Sequence, residues 1–421
     1  MPDSLISRLL RRIGRTANPL LDPYADDRRS REVATTRALN DLNDSIARLG
    51  DRIDHVGARV DKIDRRQVRR LEEAIESLHA STRRHAAFAD RLLRRAHPQT
   101  QREFVRERVL RRMRAISRSG RPIVIGPWTG EVGFELLYWV PFVRWAVERF
   151  NMDPTRIILV SRGGAQSWYG LPGARYVDVL ERRSTLELRE RMAEAKKQRT
   201  IRLFDRRLIR EIAAGADGPV DVLHPSWMYA LYMPYWKQTA PIRWIDEMTA
   251  FACIQPPAIE GLHLPADYVA LRFYFSDCFP DTPENRVLVS SIVTSIARQR
   301  DVVLLGSGVM VDEHRDAPHP GGLHPRVHTV DHLMRAENNL AVQTAVIAGA
   351  SAFVGTYGGF SYLAPLCGVD TVALYSLKNY YEHHLDFAQQ MFAEVGGGSL
   401  TVVDSAVRGL VGQIAGADAL Q

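Results

Sequence analysis

One stretch of the chain confines the fold more tightly than any other. Val354-Gly355-Thr356-Tyr357-Gly358-Gly359-Phe360-Ser361-Tyr362-Leu363-Ala364-Pro365-Leu366, followed by Gly368-Val369-Asp370-Thr371-Val372-Ala373-Leu374-Tyr375, reads as an apolar strand, a glycine turn, a helix start and a second buried strand. The strands, Ser351 to Val354 and Thr371 to Tyr375, are short, apolar and rich in β-branched residues, the composition of parallel strands covered on both faces. Only a short helix fits between them, so the ligand end of the unit is the glycine turn, where a helix start offers backbone N–H groups to an anion. The plain alternative is that Gly358-Gly359 is only a tight turn within an α/β layer.

A second unit of the same kind begins at Pro122-Ile123-Val124-Ile125-Gly126-Pro127-Trp128-Thr129-Gly130-Glu131-Val132-Gly133-Phe134-Glu135 and leads into a helix expected over Leu136 to Phe150. Two strand–glycine loop–helix units so far apart suit two facing α/β domains with a cleft between them. Neither loop carries the Lys-Ser or Lys-Thr of a phosphate-binding Walker loop, and neither has the three-glycine dinucleotide fingerprint.

These two loops resemble those of the GT-B glycosyltransferases, and within them the heptosyltransferase-like, family 9-like group. In that group an acidic residue of the first loop stands six positions before a proline, as Glu135 stands before Pro141. The group's second loop is Asp-Ser-Gly-Pro-Met-His-Leu-Ala. This chain has Tyr357-Gly358-Gly359-Phe360-Ser361-Tyr362-Leu363-Ala364, so the frame is kept while tyrosines replace the Asp and the His. The resemblance implies an α/β chain of two Rossmann-like domains facing a cleft, at 99–262 for the acceptor and 263–421 for a nucleotide-sugar donor.

Several strand ends would then line the cleft. In the first domain Arg156 to Ser161 reads as a buried strand ending in Arg162-Gly163-Gly164, with Ala165 to Tyr169 a possible acceptor wall, and Val220 to Leu223 ends at His224. Trp128, Thr129, Gly130, Arg162, Gly163 and His224 are the expected acceptor residues. The aromatic run Trp227 to Trp244 reads equally as a sugar-stacking surface or as interdomain core. In the second domain a strand, Tyr268 to Tyr274, carries Arg272 near its end, and another, Val302 to Leu305, ends in Gly306-Ser307. Arg272, Gly306, Ser307, Thr356, Tyr357, Gly358, Gly359, Phe360, Ser361 and Lys378 are the expected donor and phosphate contacts, an arginine fork being suited to phosphate oxygens. The segment Asn338 to Ala345 would reach the base or ribose.

Composition narrows the class. The three cysteines, Cys253, Cys278 and Cys367, are scattered and unpaired in spacing, which points to a reducing compartment and away from a disulfide framework or structural zinc. His314, His319, His324 and His328 lack a helical pair spacing, so no metal is expected. The formal charge of +7 is uneven: residues 1–120 hold 28 basic and 17 acidic side chains, leaving 28 basic and 32 acidic in 121–421. The basic character therefore belongs to the N-terminal extension.

That extension has its own pattern. On a helix over Ser4 to Arg15, Leu5, Ile6, Leu9, Leu10 and Ile13 share one side with Arg8, Arg11, Arg12 and Arg15 beside it, so the basic segment 1–30 suits either an anionic membrane surface or the protein's own surface. Leu39, Leu42, Ile46, Leu49, Ile53, Val56, Val60 and Ile63, resumed by Val68, Leu71, Ile75 and Leu78, alternate in steps of three and four. An α-helical coiled coil is expected over 31–98, with homo-oligomerisation through residues 39–78; the alternative is a long helix folded on its own domain. Arginines from Arg83 to Arg118 are interleaved with Leu92, Leu93, Phe104, Val105 and Val109, the look of a linker helix rather than a nucleic-acid surface. No apolar run is long enough to span a bilayer and no signal-peptide core is present, so a cytoplasmic enzyme at the inner face of the cell membrane is expected.

The function implied is transfer of a sugar from a nucleotide sugar to a cell-surface glycan or lipid-linked acceptor, inverting and without metal or other cofactor. Inversion needs a carboxylate to take the acceptor's proton. Glu135 holds the family position; Glu131 lies in the glycine loop itself. A non-catalytic scaffold with a degenerate sugar-binding domain, or a polysaccharide pyruvyltransferase-like enzyme, would share the layout.

Overall fold

A computed structural model describes residues 40–45, 47–50, 74, 76–77, 81, 98–216, 218–306, 315–317 and 324–407. The chain forms two compact units, Met1–Arg112 and Met113–Gln421.

In the first unit residues 40–45 and 47–50 are helical, and the helix Pro98–Arg118 begins. Arg111 donates from Nη1 to Asp44 Oδ1 and from Nη2 to Asn40 Oδ1, both at 2.9 Å. Leu42, expected at an intermolecular seam, is buried. The segment 1–30, and Leu39, Ile46 and the heptad positions from Ile53 to Leu78, lie outside the described residues.

The second unit is built on two parallel sheets. The first contains β1 (Ile123–Ile125), β2 (Ile157–Ser161), β3 (Arg175–Asp178) and β4 (Asp221–Leu223) in the order β3-β2-β1-β4. The second contains β5 (Tyr268–Arg272), β7 (Asp301–Leu304), β9 (Val327–Thr329), β10 (Ala352–Thr356), β11 (Thr371–Tyr375) and β12 (Leu400–Asp404) in the order β12-β11-β10-β5-β7-β9. A short antiparallel ribbon, β6 (Tyr274–Phe275) with β8 (Arg315–Asp316), stands beside the second sheet's first strand. Each sheet starts in its middle, grows to one side, then crosses over to the other. The order reverses between β1 and β4 and between β5 and β10, and at such a reversal the loops at the strands' carboxyl ends diverge and leave a crevice. Both glycine loops fall there, one after β1 and one after β10. They lie within one compact unit.

The apolar runs explain the layering. β2 and β5 are buried along their whole length, as strands covered on both faces must be. Val124, Ile158, Val160 and Val177 pack against Leu188, Leu208 and Ile212 on one side of the first sheet. In the second, Leu271, Val302, Leu304, Val354 and Leu374 pack against Val289, Ile292 and Val293 of the helix Pro283–Gln299. That helix is started by Thr282, whose hydroxyl accepts from Asn285 N at 3.2 Å, and by Pro283 in its first turn.

The helix after the first glycine loop departs from the sequence expectation of Leu136 to Phe150. It begins at Val132, runs as a π-helix over Glu135–Trp139, and continues as α-helix over Val140–Arg149. The cause is Pro141, which has no N–H and whose ring crowds the carbonyl four residues back. The turn before it widens, so Val140 N bonds to Glu135 O. Likewise β10 extends to Thr356, past the expected end at Val354.

Candidate functional site

A cleft of about 770 Å³ opens between the carboxyl edges of the two sheets. Glu131, Val132, Gly133, Phe134 and Arg162 line it from the first sheet's side, and Arg272, Tyr274, Asp316, Tyr357, Gly358, Gly359, Phe360 and His384 from the second's.

The two glycine loops meet here. A Cβ on Gly359 would stand 2.8 Å from Gly133 N and 2.9 Å from Val132 side-chain atoms. The two helix starts therefore arrive at one place because Gly359 carries no side chain at the crossing, whereas a Cβ on Gly133 would make ordinary contact, 3.4 Å from Gly359 Cα. Gly358 has φ +155°, a conformation L residues rarely adopt, and a Cβ there would overlap the Tyr274 hydroxyl. Ser361 Oγ accepts from Gly358 N at 3.1 Å and donates to Gly358 O at 2.6 Å. Ser361, expected to hold a phosphate, is thus buried and used to close the turn. Thr356 is likewise buried, its hydroxyl accepting from Tyr274 N at 3.1 Å and donating to Tyr274 O at 2.9 Å. In the first turn of the helix Gly359–Leu366, Gly359 and Phe360 line the cleft, whereas Ser361 N donates to Gly358 O at 3.0 Å.

Tyr357 and Tyr362, where the resembled family has Asp and His, bond to each other through their hydroxyls at 2.6 Å and both line the cleft. Burial holds both phenols protonated by raising them further above their usual range. They offer hydrogen bonds without charge.

Two arginines enter the cleft from strand ends. Arg162, just past β2, is 4% exposed and donates from Nη2 to Gly130 O. Arg272, the last residue of β5, is 5% exposed, donates from Nη1 to Leu305 O at 2.8 Å and pairs through Nη2 with Asp316 Oδ1 at 2.9 Å. In each the Nε–H is buried without a protein acceptor. Buried donors are nearly always satisfied, so an acceptor from a ligand fits this wall.

Glu131 and Glu135 occupy different environments. Glu131 lines the cleft and pairs with Lys197 at 3.0 Å, each side chain 32% exposed. The Lys197 ammonium also lies 3.1 Å from the centre of the Phe134 ring, and desolvation lowers its pKa. Glu135, expected to be the base, does not line the cleft: it is fully buried, with Oε1 accepting from Ser161 Oγ and from Tyr169 OH, the latter at 2.7 Å. Its Oε2 finds no donor. Desolvation raises its pKa to about 7, against the opposing pull of Arg162, Ser161 and Tyr169. The helix start turns the residue inward; one turn earlier, Glu131 faces the opening.

Other acceptor expectations are corrected by the same inward folding. Trp128 is fully buried, stacked at 6.0 Å on Trp139 and 6.5 Å on Tyr229. Thr129 N donates to Gln198 Oε1 at 2.9 Å while Gln198 Nε2 donates to Pro127 O at 2.9 Å, pinning the loop from within. A Cβ on Gly130 would stand 2.9 Å from the Trp128 ring, and Gly163 packs on Leu340; neither lines the cleft. Trp168 and Tyr169 are core residues. His224 is fully buried, Nε2 3.5 Å from Asp205 Oδ2, beside the Arg191–Asp205 pair at 3.1 Å. It belongs to a structural network because β4 delivers it to the sheet's interior. The aromatic run packs as core: Tyr229, Tyr232 and Trp236 pack on Phe134 and Tyr138 of the same half, and Tyr235 on Phe387 of the other.

On the other wall, Lys378 pairs with Glu382 at 2.5 Å on the surface, both well exposed, and does not line the cleft. Gly306 is buried and does not line the cleft either. Ser307, His314 and His319 lie outside the described residues. Among the described residues no cluster of three or more His, Cys, Asp or Glu is placed to hold a metal. Sequence reasoning missed Arg189, Lys196, Tyr274, Asp316 and His384, all of which line the cleft. None sits in a glycine loop, so no local motif marked them.

No family model matches the chain, and no curated protein matches it. Among solved structures, it is similar to a glycosyl transferase family 9 protein from Veillonella parvula, at 13% identity and TM-score 0.37, covering 70% of this chain and 88% of that one. It is also similar to the E. coli ADP-heptose lps heptosyltransferase II, at 13% identity and TM-score 0.36, covering 61% of this chain and 84% of that one. The glycosyltransferase SnogD from Streptomyces nogalater is similar at 12% identity and TM-score 0.31, with 71% of this chain and 91% of that one covered. Likeness at these scores carries no argument about chemistry, which rests on the cleft itself.

Proposed function

We propose that the chain is a glycosyltransferase of GT-B type, heptosyltransferase-like, that moves a sugar from a nucleotide sugar to a glycan or lipid-linked acceptor without a metal. The observation that supports this best is convergence: a single cleft at two strand-order reversals receives two helix starts, two buried arginines with unpaired Nε–H groups, and the ion-paired carboxylate of Glu131. Glu131 takes the proton of the acceptor hydroxyl. The Gly359–Leu366 helix start, Arg272 and the Tyr357–Tyr362 pair receive the departing diphosphate. The first wall, with Arg162, Arg189 and Lys196 against Glu131, suits an acceptor bearing an acidic group. The N-terminal residues 1–30 and 39–78 would gather copies of the chain at an anionic membrane surface. No described helix is long and apolar enough to cross a membrane.

The test is thermal stabilisation of the folded protein by UDP, GDP, ADP, TDP and CMP. Stabilisation by one of them, lost in Arg272→Ala, supports the donor site; the matching sugar nucleotides are then assayed for transfer, which Glu131→Gln should abolish without weakening nucleotide binding. No stabilisation by any of the five sinks the reading. The Asp316 carboxylate on Arg272 and the tyrosines in place of Asp and His favour a second reading, a sugar-binding scaffold that binds nucleotide or glycan without transfer.

A further inference from the structure

His384 belongs to the helix Glu382–Glu394 of the second sheet's half, yet its imidazole lies against the first half's wall. Its ring centre is 5.2 Å from Phe134 and 5.5 Å from Tyr138, both edge-on, and it lines the cleft. Its Nδ1 is hydrogen-bonded to the Tyr138 hydroxyl. The direction of that bond follows from what each partner needs. The Tyr138 phenol is buried, its pKa raised well above the usual value by desolvation, so it keeps its proton, and among the described residues no other acceptor for that proton is found around it. A buried hydroxyl hydrogen requires an acceptor, and the Nδ1 lone pair of a neutral imidazole is the one present. The neutral ring then carries its hydrogen on Nε2.

We propose that His384 is a fixed, neutral Nε2–H donor to a ligand oxygen in the cleft, aimed by Tyr138. This rests on the glycosyl-transfer reading for the identity of the ligand, whose diphosphate or sugar oxygens are the acceptors, but not for the state of the ring. The groups packed around the imidazole keep it uncharged: first, the Phe134, Tyr138 and Tyr381 rings exclude water, and then His383 on its own helix and Lys197 from the first half repel a proton. A donor that never becomes a cation binds an oxygen without also capturing stray anions, and leaves charge balance to Arg162 and Arg272. Tyr138 is a positioning residue in this scheme; His384 touches the ligand.

The experiment uses the full chain with 15N-labelled histidine. Imidazole nitrogen shifts between pH 5 and 8 should show, beside the buried His224 whose Nδ1 accepts from Ser226 N at 3.0 Å, a second neutral histidine with hydrogen on Nε2, assigned as His384 by its disappearance in His384→Gln. Tyr138→Phe should release that tautomer into an averaged signal. Isothermal titration with ADP, UDP and GDP should then find the tightest of the three weakened about tenfold in His384→Phe, the worth of one neutral hydrogen bond. His384→Gln, whose amide nitrogen overlays Nε2, should recover most of it. Hydrogen on Nδ1, or equal binding by wild type and His384→Phe, overturns the proposal. Failure of wild type to bind any of the three, or TDP or CMP, refutes the glycosyl-transfer reading, and the tautomer alone then decides whether His384 is a fixed donor.

Discussion

The buried Glu135 makes a stability prediction with a sign and a size. Its carboxyl is fully buried and its pKa is raised from 4.5 to about 7, chiefly by desolvation. The folded state therefore holds this proton more tightly than the unfolded chain does. Stability from this group is complete below the unfolded value, falls as pH rises from about 4.5, and levels off above about 7. At ~1.36 kcal/mol per pKa unit, the decline is about 3 kcal/mol. Glu135→Gln removes the titration. Its amide oxygen still accepts from Ser161 and Tyr169, while its NH2 replaces an Oε2 that has no partner. That unpaired donor costs about 1–2 kcal/mol at every pH. The variant should thus be less stable than wild type at pH 5 and equal or better at pH 8. For a unit of this size the change in the melting-temperature difference is on the order of 5 °C. Circular-dichroism melts of both proteins at pH 5, 6, 7 and 8 measure it, and other groups such as Asp178, raised to about 6, cancel in the difference. Parallel pH profiles for the two proteins would refute the argument. Nucleotide binding by Glu135→Gln should be unchanged, since the residue does not line the cleft.

Two further stability predictions separate backbone from network effects. Gly358→Ala should cost on the order of 3 kcal/mol, through a φ of +155° and the clash with Tyr274, whereas Gly368→Ala, at φ +82° with open space around it, should cost only about 1 kcal/mol; urea unfolding compares them. Asp205→Asn should cost about 3–5 kcal/mol, because it strips the bidentate partner from the buried Arg191 and disturbs His224, and it should do so without altering ligand affinity per folded molecule.

The sheets were legible because β-branched runs buried on both faces have few other ways to fold, and the glycine loops because a close crossing of two helix starts leaves no room for a Cβ. What the loops' side chains do was less legible. Trp128, Thr129, Thr356 and Ser361 are polar or aromatic residues beside a glycine turn, and they proved to satisfy the turn's own backbone or fill the core behind it. Their spacing along the chain is the same for either role. Glu135 was favoured from a family position, but only the helix phase decides whether a first-turn acid faces out, and Pro141 altered that phase through the π-turn. Lys197 and His384 came from segments with no motif, brought in by the tertiary fold. Alanine at Gly358 would not distinguish a scaffold from an enzyme, since the positive φ makes it costly in both.

The same fold-level pairing alters what to expect of Arg272. From sequence it was the free cation for a departing diphosphate, with Lys378 behind it. In the structure Lys378 is spent on Glu382 at the surface, and Arg272 is held by Asp316 at 2.9 Å, with its guanidinium carbon 4.6 Å from the Phe360 ring centre. An incoming phosphate must share the guanidinium with a carboxylate. Two like charges about 4 Å apart repel by ~4 kcal/mol at an effective dielectric near 20, and a partly exposed carboxylate feels about a third of that, so the net handicap is about 1–2 kcal/mol. Asp316→Asn keeps a hydrogen-bond acceptor for Nη2 and removes the repulsion. It should therefore tighten binding of the preferred nucleoside diphosphate about tenfold, with the gain shrinking as salt is raised, both read by titration calorimetry. Weaker binding in Asp316→Asn would mean that the carboxylate itself accepts from the ligand, as it would from sugar hydroxyls, and that Arg272 orients Asp316 rather than holding phosphate. That outcome would move the diphosphate to the Gly359 helix start and the tyrosine pair, and assign the ribbon's acid to sugar recognition.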